Sequence, residues 1–270
     1  MLRAAAAVLL AANLAFAAGT GLEPGGSGVV REIVDGDTLI VEMTDTAAAT
    51  PKAAKPGTEI QIRLVGIQAP KLPLGREGFK AWPLAEEAKD ALAELAEGKT
   101  LTLSFGGQKM DRHGRLLAHL YGPDGAWIQG EMLKRGMARV YTFPDNRALA
   151  SEMLALERAA RSAKAGIWGD GFYALRTPES AAADIGTFQL VEGVVTDAAT
   201  VRARSYLNFG EDWKTDFTVV IRAPERKMFE DAGIDIISLS GRRVRVRGWI
   251  QSYNGPMISA THPEQIEVLE

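Results

Sequence analysis

Apolar and polar residues alternate with period two over 29–43, interrupted at Asp35-Gly36. That pattern predicts two strands joined by a tight turn. Residues 44–58 are Ala, Thr, Pro, Lys and Gly without a period, as in a long hairpin loop. Alternation returns over 60–67, where Ile60, Ile62 and Leu64 share one face and Gln61 and Arg63 the other. After an irregular stretch at 72–81, Pro83 stands where a helix can open, and Leu84, Ala88, Leu92 and Leu95 give it one apolar stripe before Gly98 stops it. Strands are predicted at 100–105 and 115–121, the latter pairing with 126–128 around Gly122-Pro123-Asp124-Gly125. Helices follow at 128–136 and 146–165, before Gly166-Ile167-Trp168.

Three strands, a helix, two strands and two helices is the order expected of a mainly β unit: a five-stranded OB-type barrel with packed helices. Residues 171–186, rich in Ala, Asp, Pro and Ser, read as a linker. From 187 a second β-rich unit is expected, with strands at 191–195, 206–210, 217–221, 243–250, 257–260 and 265–269 and a short helix near 225–232. Within 243–250, Val244, Val246 and Gly248 oppose Arg243, Arg245 and Arg247. The expectation is a second OB-like barrel over 187–270.

Composition adds three constraints. An apolar share of 46% and a charged share of 24% are those of a globular chain. The net charge of −3 means that any phosphate-binding surface must be a local cluster of arginines. With no cysteine, disulfides and thiolate metal sites are excluded. The N-terminus changes the expected location: Arg3, an apolar run and Ala15-Phe16-Ala17-Ala18 form an export-signal pattern over 1–18. The run is shorter than the roughly 20 residues that span a bilayer. The expected mature protein is periplasmic or secreted, without a membrane span, and 19–28, rich in Gly, Pro and Ser, reads as a flexible leader.

Three separated motifs carry the candidate chemistry: Asp35-Gly36-Asp37-Thr38, then 63–71 (Arg63-Leu64-Val65-Gly66-Ile67-Gln68-Ala69-Pro70-Lys71), then Asp111-Arg112-His113-Gly114-Arg115. Together they resemble the active-site signature of the staphylococcal nuclease family, and the resemblance covers about 29–170. It implies an OB barrel with helices and phosphodiester hydrolysis helped by calcium. Carried over by motif, Arg63 and Arg115 fall on the family's phosphate arginines and Asp37 on its first calcium carboxylate, with Asp35 and Thr38 as outer support. Tyr141 and Phe143 fall on positions lining the nucleotide pocket, with core packing as their other role. Arg112 joins the nucleic-acid-binding set, and His113 stands in place of a family tyrosine.

The same resemblance places Gln68 at the second calcium aspartate and Lys71 at the catalytic glutamate. Calcium prefers several hard oxygen ligands, so the expected metal is none, or weakly bound Ca2+. Losing a general base costs about 10²–10⁴ in rate. Lys71 has three candidate roles: a solvated surface lysine, a partner of Arg63 and Arg115 in a metal-free phosphate cradle, or a neighbour of Glu77, Glu86 or Glu87 in a rebuilt metal site. For Arg63 and Arg115 the alternative to phosphate is an ion pair with Asp35, Asp111 or a helix carboxylate.

In the second unit Tyr206, Phe209, Trp213, Trp249 and Tyr253 supply aromatics, and Arg202, Arg204, Arg243, Arg245 and Arg247 supply charge. Aromatic side chains beside cations suit single strands; a charged outer strand is the other reading. The expected function is binding of single-stranded DNA or RNA, or of nucleotides, with hydrolysis weak or lost. An active metal-dependent nuclease with a rearranged site and an envelope protein-interaction module are the alternatives.

Overall fold

The computed structural model describes residues 21–212 and 214–269. The export signal at 1–18, the start of the leader and Trp213 lie outside the described residues. Two compact units divide between Phe172 and Tyr173.

In the first unit β1 (Glu23–Asp35), β2 (Thr38–Asp45), β3 (Glu59–Leu64), β5 (Thr100–Phe105) and β6 (Leu116–Tyr121) close into a barrel in the order β1-β2-β3-β6-β5. All pairs are antiparallel except β3 with β6. Alternate residues Leu39, Val41, Ile62, Leu64, Leu101, Leu103, Leu116, Ala118 and Leu120 point inward and form the core. Three helices cover it: α1 (Ala85–Ala96), α2 (Ile128–Lys134) and α3 (Ala150–Ser162). They contribute Ala88 and Leu92, Met132 and Leu133, and Met153. A separate two-stranded ladder joins β4 (Ile67–Gln68) to β7 (Arg139–Val140).

Residues 23–28, read as part of a flexible leader, are instead the first half of β1, which pairs with both β2 and β5 and so closes the barrel. Their glycines serve close approach. A Cβ on Gly28 would lie 2.2 Å from Val41 Cγ1, and one on Gly25 2.6 Å from the Phe105 ring. Helix starts also differ. Leu84 and Leu149 adopt left-handed backbone (φ 62° and 59°), so α1 begins at Ala85 rather than Pro83, and α3 at Ala150 rather than 146. The strand expected at 126–128 shrinks to one bridge between Tyr121 and Trp127, because α2 begins at Ile128.

The second unit holds β8 (Phe188–Val194), β9 (Asp197–Val201), β10 (Arg204–Asn208), β11 (Thr218–Arg222), α4 (Ala223–Asp231), β12 (Arg243–Ser252), β13 (Pro256–Ser259) and β14 (Ile266–Val268). Their order is β14-β12-β13-β11-β10-β9, with β8 also on β12. The ten-residue β12 pairs with β8 and β14 over its first part and with β13 over its last, which curls the sheet into a half-barrel. Leu207, Phe217, Val219, Ile221, Phe229, Val244, Val246 and Ile258 fill the concavity. Part of the expected linker belongs to this unit: Ala181 is in its core, Arg176 exchanges backbone hydrogen bonds with β8, and its guanidinium pairs with Asp184 at 2.7 Å.

Candidate functional site

The turn between β1 and β2 carries Asp35 and Asp37 to one end of the barrel. Gly36 is required there: a Cβ would meet those of Ala69 and Ala88 at 2.7 and 2.8 Å. The turn is therefore clamped against the loop after β4 and against α1. Asp35 Oδ1 accepts the Asp37 backbone N–H at 3.1 Å. Asp37 is wholly buried, and its carboxylate accepts from three donors and pairs with a second cation. Lys71 Nζ donates to both oxygens at 2.8 and 2.7 Å, Ala69 N–H at 2.7 Å and Thr38 Oγ1 at 3.1 Å, while Arg63 Nη2 lies 3.2 Å away.

Burial by itself would raise the Asp37 pKa. The charges of Arg63 and Lys71, with the hydrogen bonds from Lys71 and the Ala69 amide, outweigh it and hold the carboxyl well below its ordinary value. Asp35 moves the other way, raised by burial and then by the Asp37 charge, with Lys71 at 3.5 Å only partly offsetting this.

Lys71 is thus no solvated surface lysine; its ammonium sits on the carboxylate that the resemblance assigns to calcium. Arg63 is equally engaged. Its guanidinium donates to the carbonyls of Leu64 at 2.7 Å and Ile67 at 2.6 Å, besides facing Asp37. Gln68 is buried, and its Oε1 accepts from Arg139 Nε at 3.0 Å and Nη2 at 2.8 Å across the β4–β7 ladder. The Arg139 guanidinium in turn lies 5.7 Å from the Trp82 ring centre.

These residues do not fit a calcium ion. A carboxylate offers about four lone-pair positions, and those of Asp37 are taken by cations and donors. Gln68 is turned to Arg139. Glu77, Glu86 and Glu87 are exposed, the last two on the first turn of α1. No group of three His, Cys, Asp or Glu able to hold a metal occurs among the described residues.

Beside this cluster lies a groove of about 640 Å³ lined by Arg63, Arg112, His113, Arg115, Tyr141 and Phe143 among others. Asp111 organises its cationic wall. One oxygen accepts the amides of His113 at 2.8 Å and Arg115 at 3.0 Å; the other accepts Arg115 Nε at 2.7 Å. Burial opposes ionisation of Asp111, but these bonds lower its pKa. Of the alternatives for Arg115, the pair with Asp111 is present, and it fixes the guanidinium at the groove. Tyr141 and Phe143 meet edge to face at 4.9 Å and line the groove, with Phe143 49% exposed, so core packing does not account for Phe143.

The three arginines of β12 do not form an open cationic face. Arg243 and Arg245 pair with Glu192 of β8 at 2.8 and 2.7 Å, and Arg247, 1% exposed, pairs with Glu267 of β14 at 2.5 Å. The alternation is a cross-strand ion-pair ladder. Arg243→Ala and Arg245→Ala are expected to leave oligonucleotide affinity within about twofold, with an unchanged salt slope; a phosphate contact at either residue would contribute about one unit of slope. Fluorescence anisotropy at several salt concentrations checks this.

Sequence reasoning missed Arg139, which captures Gln68 from 71 positions away, and Glu157, fully buried, which accepts the Val140 amide at 2.6 Å and Arg161 at 2.9 Å. Neither stands in one of the motifs, and both act through partners that only the tertiary fold brings near.

The family model of staphylococcal nuclease homologues matches residues 61–170. A probable staphylococcal-like nuclease of Oryza sativa subsp. japonica is 37% identical over 108 residues, 40% of this chain and 28% of its own length. An uncharacterized endonuclease of Escherichia coli is 31% identical over 143 residues, 53% of this chain and 77% of that protein. The SPbeta prophage-derived endonuclease YokF of Bacillus subtilis is 32% identical over 149 residues, 52% of this chain and 43% of its own length. The chain thus spans about a quarter of the rice relative and three quarters of the E. coli one. With the closed barrel, the Arg63–Asp37 pair and the groove lined by Arg63 and Arg115, this similarity shows that the chain belongs to the staphylococcal nuclease family.

Proposed function

We propose that this is an exported nuclease-family protein that binds single-stranded nucleic acid or nucleotide phosphate, with phosphodiester hydrolysis weak or lost. One observation carries the reading: the Lys71 ammonium bonded to both oxygens of Asp37. An internal cation there opposes a divalent ion by Coulomb repulsion and takes the lone pairs it would need. The neutral Gln68 adds no charge to replace the loss. Arg115, Arg112 and His113 along one wall and Tyr141 and Phe143 along the groove supply phosphate and base contacts instead. Export rests on the sequence pattern at 1–18; no helix among the described residues is long and apolar enough to cross a membrane.

The competing reading, an active metal-dependent nuclease, draws support from relatives such as the endonuclease YokF of Bacillus subtilis. A labelled single-stranded oligonucleotide decides between them. The expected result is salt-sensitive binding by the protein without cleavage, the same with calcium as with a chelator. Chelator-sensitive cleavage would reverse the assignment. A gain-of-function arm sharpens it: Gln68→Asp alone forms an ion pair with Arg139 and stays inactive, whereas Gln68→Asp with Lys71→Glu gains calcium-dependent cleavage of tenfold or more.

A further inference from the structure

The second unit holds an aromatic trough on the side of its sheet opposite the core. Strand residues alternate between faces. Leu207, Val219, Ile221 and Ile258 point into the core, so Tyr206, Val220 and Met257 point away from it. A sheet covered on one side ordinarily presents polar residues on the other. Here the outer face is largely apolar: Ala199, Val201, Tyr206, Val220, Tyr253 and Met257, with the polar Asn208, Thr218 and Asn254, line a cavity of about 460 Å³, within the 300–1,000 Å³ typical of ligand sites. Val201 and Tyr253 are more than half exposed.

The wall over this face is fixed. Tyr253 and Asn254 lead into Gly255 at the β12–β13 hairpin, and a Cβ on Gly255 would lie 2.5 Å from the Thr215 carbonyl oxygen. The hairpin therefore packs on the backbone of Thr215 and Asp216 and holds the Tyr253 ring at the mouth of the trough.

One end of the trough carries uncompensated positive charge. Arg204 and Arg222 stand directly opposite each other on β10 and β11, an unfavourable placement for like charges. Arg222 pairs with Glu225. Arg204, exposed, has no carboxylate partner among the described residues; its guanidinium lies 5.9 Å from the Tyr253 ring centre. Hydrogen bonding to the Tyr206 hydroxyl, then to that of Tyr253, raises its pKa. Asn208 and Thr218 lie along the trough floor and offer donors and acceptors to a planar edge.

From two phenol rings, a largely apolar lining and a guanidinium lacking an anion among the described residues, we propose that this trough binds single-stranded nucleic acid. An unpaired base stacks on Tyr206 and Tyr253, and its phosphate meets Arg204. A duplex, whose bases are stacked on one another, does not fit. The site is separate from the barrel groove and does not depend on the reading of that groove.

Cross-linking on the intact protein tests it by position. A single-stranded oligonucleotide carrying 5-bromodeoxyuridine is irradiated with the full chain, and the adducts are located by peptide mass spectrometry. Adducts are expected on peptides containing Tyr206 or Tyr253; adducts confined to 61–172 overturn the proposal. In anisotropy titrations with an oligothymidylate, Tyr253→Leu and Arg204→Gln, both exposed changes, each weaken binding about tenfold. Affinity within twofold of the parent for both variants overturns the site. If Phe143→Ala alone weakens binding, the barrel groove stands and the trough falls; if Arg204→Gln alone does, the reverse holds. Thymidine monophosphate competing as strongly as the polymer would mark a free-nucleotide site and overturn the polymer assignment.

Discussion

Asp37→Ala is expected to destabilise the first unit by about 3–5 kcal/mol, the usual cost of removing one member of a buried ion pair. In a metal site the opposite sign is common, because a carboxylate kept for a ligand is held at a cost to folding. Here the carboxylate is the shared acceptor for Lys71, Arg63, the Ala69 amide and Thr38. Its removal leaves two cations, 19% and 12% exposed, beside each other, with only Asp35 at 3.5 Å from Lys71 to face them. In a domain of this size such a loss lowers Tm by roughly 10 °C. Lys71→Met is milder, since Arg63 still faces Asp37. Calorimetry on both variants, without metal, checks this; an Asp37→Ala protein as stable as the parent would sink the structural account of the cluster. The acid limb follows from the lowered Asp37 pKa. A carboxyl depressed in the folded state adds stability above its unfolded value near 4, and that stability is lost as pH falls through the folded value. Asp35, raised, contributes with the opposite sign.

How much of this was legible beforehand divides along physical lines. The barrel strands could be read because their inward residues repeat every second position, and the site motifs because turn residues and charges stand close in sequence. Residues 23–28 could not: glycine signals flexibility in a chain and close packing in a barrel, and only the neighbours Val41 and Phe105 decide which. The arginines of β12 were visible as one face, but their partners Glu192 and Glu267 are supplied by β8 and β14. Lys71 was visible as a charge at the wrong place. Its contact with Asp37, 34 positions earlier, needed the fold. The trough of the second unit shows the same limit in reverse. Tyr206 and Tyr253 stand out in the sequence as aromatics, but only the register of β10, β11 and β13 and the β12–β13 hairpin bring them over one floor.

His119 gives the second large effect, in a different pH window. It lies on β6, 2% exposed, with its ring 5.7 Å from that of Trp127 and no partner for Nδ1. Burial pushes its pKa down from 6.5 to about 3, because the imidazolium would lose its hydration with nothing to replace it. The unfolded chain takes up a proton at this residue near pH 6.5 and the folded protein does not until about pH 3. Between these limits the unfolded state binds more protons, so stability rises with pH. It is fully present above 6.5 and falls by about 1.4 kcal/mol for each pH unit below it, to a total on the order of 5 kcal/mol. His119→Leu keeps an apolar side chain against Trp127 and removes the proton site. Its urea-unfolding free energy, plotted from pH 7 to 4, should be flatter than the parent's by about that slope, whatever other groups contribute to both. Parallel curves would show that His119 titrates normally in the folded protein, and so that water reaches a ring that is buried here beside Trp127.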